Sequence, residues 1–157
     1  MTSTLNSTEL HIDKPLQTIL RAAVGAIVPE QLELALPGAD DPLIFADIVA
    51  SVGPRHREIS TALAALQHSA SAQWQQAFEQ LDSGQQLQLV NLLRESMPEP
   101  MWSLIALIFE CYYRDDRVMD SLQMDKRPAF PQGFEVEAGD WSLLDPVKKR
   151  APFYRQV

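Results

Sequence analysis

Glu110 is the side chain with the strongest case for chemistry, because it interrupts the apolar and aromatic run of residues 101–113. A buried carboxylate needs a partner or acquires a raised pKa, and a raised pKa suits general acid–base catalysis. Pairing of Glu110 with an arginine is the expected outcome. Cys111 is the single cysteine of the chain, and in such a run it is expected to be a small buried hydrophobe rather than a reactive thiol.

Metal and nucleotide chemistry lack their usual motifs. His11, His56 and His68 share no metal-ligand spacing, and no Glu precedes a His by three positions as a di-iron bundle requires. Glycine-rich phosphate-binding motifs and the nucleophile elbow are absent from the sequence, and one cysteine cannot form the haem attachment motif C-x-x-C-H. The residues therefore predict no catalytic, cofactor-binding or metal site in this chain.

Two aspartate pairs have simpler explanations than ligand binding. Asp40-Asp41 could contribute to a calcium loop, but the further oxygen ligands of such a loop are missing, so a solvated turn and a helix cap are expected. Asp115-Asp116 lies between Arg114 and Arg117, which predicts local ion pairing.

The elements that must position these groups are helices. Residues 101–113 predict a helix that is apolar on every face, too short to span a bilayer and therefore a buried core helix covered on all sides. Helical periodicity or capping signals predict further helices at residues 16–28, 42–52, 55–68, 72–78 and from a capping box at 83–86 onward. The fold class is all-α: a compact bundle of about five to six helices around the central apolar helix.

Charge and composition divide the chain. With 157 residues it favours one domain, and its net charge of −8 argues against a nucleic-acid partner. Residues 1–12 predict a disordered lead-in without a secretory or twin-arginine signal, so the cytoplasm is the default location and the periplasm requires an exported partner. Residues 13–116 form the helical domain. Residues 1–116 hold 15 acidic and 6 basic residues, whereas residues 117–157 hold 6 acidic and 7 basic residues.

Residues 117–157 predict an extended strap of the same domain, because prolines and aromatics replace helical periodicity, apart from a turn at 118–122. Its aromatics argue against plain disorder and favour an interface, either with a partner or with the chain's own helices. The candidate interface residues are Phe130, Phe134, Trp141, Leu144, Lys148, Arg150 and Tyr154.

Several runs in order resemble the small-subunit family named after gluconate 2-dehydrogenase subunit 3. They are residues 26–29 (AIVP), 78–86 (FEQLDSGQQ), 112–118 (YYRDDRV), 127–134 (RPAFPQGF) and 137–147 (EAGDWSLLDPV). The resemblance covers roughly residues 16–150 and rests on order and spacing. Many members of that family carry a twin-arginine export signal, which the printed sequence does not contain.

The resemblance implies an accessory, chaperone-like subunit with no catalytic residues of its own. Its partner would be a large FAD-dependent oxidoreductase of the glucose–methanol–choline type that oxidises sugars, sugar acids or polyols, with a multihaem cytochrome subunit in some complexes. FAD would belong to the partner, and neither a cofactor nor direct membrane insertion is expected of this chain. The alternative is a free-standing helical binding or regulatory module without a flavoprotein.

Overall fold

The computed structural model describes residues 12–124 and 139–150, and it confirms the all-α fold. The described residues belong to two compact units, Met1–Lys126 and Arg127–Val157. They contain seven α-helices and four short 3-10 turns, and the β-structure among them is one isolated antiparallel bridge. The helices are α1 (Lys14–Ile27), α2 (Pro42–Ser51), α3 (His56–Trp74), α4 (Ser83–Ser96), α5 (Pro98–Tyr112), α6 (Asp116–Ser121) and α7 (Asp145–Lys148).

Helix starts follow the capping chemistry of the sequence. The carboxylate of Asp13 accepts a hydrogen bond from the backbone of Leu16 at the start of α1, and Asp41 accepts one from Leu43 at the start of α2. The predicted cap role of Asp41 is therefore confirmed. The capping box of α4 lies one residue earlier than predicted, because Asp82 rather than Ser83 is the N-cap and exchanges hydrogen bonds with Gln85.

The core of the first unit surrounds α5, as predicted. Helices α2, α3 and α4 all pack against α5, and α1 packs on α3 and α4. The inward side chains of α5 are Met101, Leu104, Leu107, Ile108, Cys111 and Tyr112. Pro98 begins this helix instead of separating it from α4, since a proline in the first turn removes no helical hydrogen bond.

The predicted short helix at residues 72–78 is wrong, because α3 continues to Trp74 without a break. The residues between His68 and Trp74 include no Gly or Pro, and the helix ends where Gln75 takes the left-handed conformation. Phe78 instead lies fully buried in a 3-10 turn.

Both ends of the first unit differ from the predicted bounds of the helical domain. Ile12, which the pattern leaves in the lead-in, is fully buried in the core, and its carbonyl accepts a hydrogen bond from the side chain of Gln17. The turn predicted at 118–122 is the helix α6, and it buries Val118. A single apolar residue next to a cap is too little periodic signal to be recognised in the sequence.

Candidate interaction surfaces

Residues 139–150, the second described part of the predicted strap, form a short helical segment rather than an extended one. Asp140 accepts hydrogen bonds from the backbone and hydroxyl of Ser142 at 3.0 and 2.6 Å, and these bonds hold the pKa of Asp140 below its usual range. A 3-10 turn over Trp141–Leu144 then leads directly into α7, which has a proline in its first turn. The cap and this proline give the segment a defined local shape.

This segment displays apolar side chains to solvent. Trp141 is 71% exposed and Leu143 is 74% exposed, and Leu144 and Val147 are exposed as well. Sequence reasoning named Trp141 and Leu144 but missed Leu143 and Val147, because an extended strap offers no helical face on which to place them.

The remaining predicted interface residues fall into two groups. Lys148 is exposed and pairs with Asp145 at 3.3 Å, and Arg150 is exposed. Phe130, Phe134 and Tyr154 lie outside the described residues.

A second apolar surface lies on α5 and was not predicted. Trp102 is 69% exposed, and Phe109 and Tyr113 are exposed on the same side of the helix. The rings of Phe109 and Tyr113 stack with their centroids 6.0 Å apart. The expectation that α5 is covered on every face is therefore wrong for the described residues. We refer to Trp102, Phe109 and Tyr113 as the aromatic face of α5.

Glu110 lies at the edge of this face and was the sequence signal that could have revealed it. Its side chain is half exposed, so the expected burial is wrong, whereas the expected arginine partner is confirmed. Two hydrogen bonds of 2.8 and 2.9 Å join its carboxylate to the guanidinium of Arg55. Arg55 lowers the pKa of Glu110, which keeps it ionised at neutral pH and does not suit it to act as a general acid.

Arg117 connects the start of α6 to the start of α2. Its guanidinium lies 2.7 Å from a carboxylate oxygen of Asp41 and 2.9 Å from one of Asp115, and these contacts lower the pKa of both carboxyl groups. The predicted pairing of Asp115 with Arg117 is confirmed. Arg114, in contrast, pairs with Asp47 on α2 at 3.3 Å.

Cys111 is buried, as predicted. Cys111 is 1% exposed, and burial raises the pKa of its thiol. A thiol with a raised pKa holds little reactive thiolate at neutral pH. Cys111 therefore serves as a packing residue of α5.

A groove of about 760 Å³ runs between α1 and the loop before α2. The charged groups that line it are four carboxylates and one guanidinium: Glu30, Asp40, Asp41, Glu79 and Arg21. Arg21 is already engaged, since it donates to the backbone oxygen of Asp40 at 3.0 Å and lies 4.2 Å above the ring of Phe45. A dinucleotide cofactor carries a diphosphate, which requires backbone N–H or basic donors, so this lining disfavours such a cofactor.

Metal ligands show no clustering in the described ranges. Within residues 12–124 and 139–150, no three His, Cys, Asp or Glu side chains lie close enough to hold a metal ion. His56 and His68 lie at separate positions along α3, and His11 is outside the described residues.

Comparison with known family models, curated proteins and solved structures finds no match to this chain. None of the helices in the described residues has the length and apolar character needed to cross a bilayer.

Proposed function

We propose that this chain is the non-catalytic small subunit of a heteromeric oxidoreductase. It binds and stabilises, or helps to mature, a large FAD-dependent subunit of the glucose–methanol–choline type that acts on sugars, sugar acids or polyols. The FAD resides in the partner, some complexes add a cytochrome subunit, and this chain contributes no catalytic group. The cytoplasm is the default location, and a partner with an export signal would carry the complex to the periplasm.

The observation that carries the proposal is the aromatic face of α5. Three aromatic side chains on the central helix of the first unit remain exposed while α2, α3 and α4 pack against other sides of the same helix. Exposed aromatic clusters mark interaction sites, and Trp and Tyr are enriched among the residues that dominate binding energy. Such a surface favours a protein partner.

One further feature supports a flavoprotein as that partner. The ordered runs between residues 26 and 147 resemble the small-subunit family, and the last of them contains the exposed Trp141 and Leu144.

Co-purification tests the proposal. The tagged chain, isolated from its native host, is expected to bring down a larger protein with the absorption spectrum of bound FAD. The variant Trp102→Ala/Phe109→Ala is expected to lose this partner, whereas the matched control Leu87→Ala/Leu92→Ala, which removes two exposed side chains from α4, is expected to retain it. A colourless monomer would favour the free-standing binding module, and substrate turnover by the isolated chain would contradict a non-catalytic role.

A further inference from the structure

The loop at residues 31–36 is a closed structure that projects two leucines into solvent. Gln31 and Leu36 exchange backbone hydrogen bonds of 2.9 and 3.1 Å, and a 3-10 turn over Leu32–Leu34 fills the space between them. Leu36 is buried, whereas Leu32 is 79% exposed and Leu34 is 58% exposed. Leu32 is the most exposed large apolar side chain in the part of the chain that the structure describes. We call residues 31–36 the leucine loop.

Contacts from α5 and α6 hold the leucine loop in place. The hydroxyl of Ser121 lies 3.0 Å from the carbonyl oxygen of Ala35 and 2.9 Å from that of Arg117, so its one proton is shared between them. The hydroxyl of Tyr112 donates to the carbonyl oxygen of Pro37, next to the loop, at 2.9 Å. Ala35 adopts the left-handed conformation, with φ at 52°, which costs a residue with a side chain more than it costs glycine. The leucines are therefore presented by a preformed backbone that needs little further ordering to bind.

The charges around the leucine loop define the kind of surface that it fits. Glu30 and Glu33 are exposed on either side of Leu32, and residues 12–124 as a whole carry 15 acidic and 7 basic side chains. A second copy docked loop to loop would bring the same carboxylates together, which is repulsive. Lysine or arginine side chains around an apolar recess would instead complement it.

We propose that the leucine loop is a plug for the large flavoprotein subunit. Leu32 and Leu34 insert into an apolar recess of that subunit, and basic residues at the edge of the recess face Glu30 and Glu33. This inference rests on the proposed function and adds a further contact, separate in sequence from the aromatic face of α5 and from the Trp141 segment.

Direct binding measurements test the plug. The probe is the FAD-containing subunit recovered by co-purification, and its affinity for the isolated chain is measured by biolayer interferometry. Leu32→Ala/Leu34→Ala is expected to weaken binding at least about tenfold, as truncation of buried interface anchors does. The control Leu87→Ala/Leu92→Ala is expected to bind like the wild type, and circular dichroism melting should show that both variants remain folded.

The acidic edge is tested separately with Glu30→Gln/Glu33→Gln. This variant is expected to bind more weakly at about 50 mM salt and to lose part of the salt dependence that the wild type shows up to about 300 mM. Wild-type affinity for Leu32→Ala/Leu34→Ala, or an unchanged salt dependence for the glutamine variant, would overturn the plug while leaving the proposed function intact.

Two other results would have different meanings. If the wild-type chain recovers no flavoprotein, the proposed function fails and the plug fails with it. If sedimentation shows a homodimer that Leu32→Ala/Leu34→Ala dissociates, the occupant is a second copy and the heteromeric plug is wrong.

Discussion

At the scale of single residues, a few exposed arginines fasten the ends of helices to one another. Arg117 contacts Asp115 on its own helix cap and Asp41 at the cap of α2, so one guanidinium serves two carboxylates. Exposed ion pairs contribute little individually, and networks with several hydrogen bonds contribute more. The lowered pKa values of Asp41 and Asp115 make this contribution dependent on pH.

Arg117→Gln should therefore reduce the amount by which the free energy of unfolding falls between neutral and acidic pH. A carboxyl group whose pKa is lower in the folded than in the unfolded state stabilises the protein at pH values above its unfolded pKa, about 3.8. This stabilisation is lost as the pH falls through the folded pKa. We expect the variant to lose roughly 0.5–1 kcal/mol at neutral pH, after allowance for solvent screening. Urea unfolding from pH 7 down to about pH 3 measures this, and parallel wild-type and variant profiles would contradict the assignment.

Ala35→Gly should stabilise the fold. Glycine occupies the left-handed region without the steric cost that alanine has at φ 52°, although it also gains freedom in the unfolded chain. We expect the free energy of unfolding to rise by about 0.5–1 kcal/mol, measured by chemical denaturation. Ala46→Gly, in the middle of α2 and exposed, is the opposite control and should destabilise by about 1 kcal/mol. A loss of stability in Ala35→Gly would mean that the leucine loop has another conformation.

At the scale of elements, the starts of helices were easier to predict than their open faces. Asp13 and Asp41 lie next to proline-containing first turns, and this local pattern identifies where α1 and α2 begin. The open side of α5 could not be read in the same way, because a helix of almost wholly apolar residues has no polar stripe. Which neighbours cover it depends on tertiary packing, and the aromatic face appears only once α2, α3 and α4 are in place.

The site residues follow the same division. Trp141 could be identified from the sequence because a segment with prolines and aromatics and no helical periodicity favours binding. Identifying its neighbour Leu143 as exposed required the position of the 3-10 turn. The leucine loop escaped notice because the exposed Leu32 and Leu34 are followed at the same spacing by the buried Leu36, so the sequence resembles an ordinary core segment.

Substitution of a buried leucine should reduce the free energy of unfolding far more than substitution of an exposed one. Leu107, at 2% exposure, packs inside the bundle, and Leu107→Ala should reduce the free energy of unfolding by about 2–5 kcal/mol because the cavity closes only in part. The control Leu92→Ala on α4, where the side chain is exposed, should change it by less than about 0.5 kcal/mol. Chemical denaturation compares the two, and similar midpoints would show that α5 is not the core helix.

At the scale of the whole molecule, the first unit contains a complete hydrophobic core. The buried cluster in the described residues extends from Ile12 to Val118 and so lies within the unit Met1–Lys126. An uninterrupted core of this kind is what independent folding requires.

Truncation after Lys126 should therefore preserve the fold and reduce partner binding. We expect the shortened chain to melt cooperatively near the wild-type temperature by circular dichroism, because the buried cluster is unchanged. We expect its affinity for the flavoprotein to fall, because Trp141 and its exposed neighbours are removed. A large drop in melting temperature would show that residues 127–157 cover their own helices, which was the competing explanation for the strap.

The joint between α4 and α5 has a consequence for how the length of this chain can vary. Met97 is both the last cap of α4 and the first cap of α5, and its backbone bonds Leu93 on one side and Met101 on the other. Because no loop separates the two helices, a residue inserted at this joint would displace one helix of a packed pair. The link between α1 and α2 spans residues 28–41, and its exposed tip at residues 32–34 can absorb such a change at the surface, because the Gln31–Leu36 pairing closes the loop behind it. Single-residue glycine insertions at the two places, compared by thermal melting, should be tolerated in the link between α1 and α2 and should lower the melting temperature at Met97. Homologues of this protein should therefore differ in the length of the link and agree in the length of the joint at Met97.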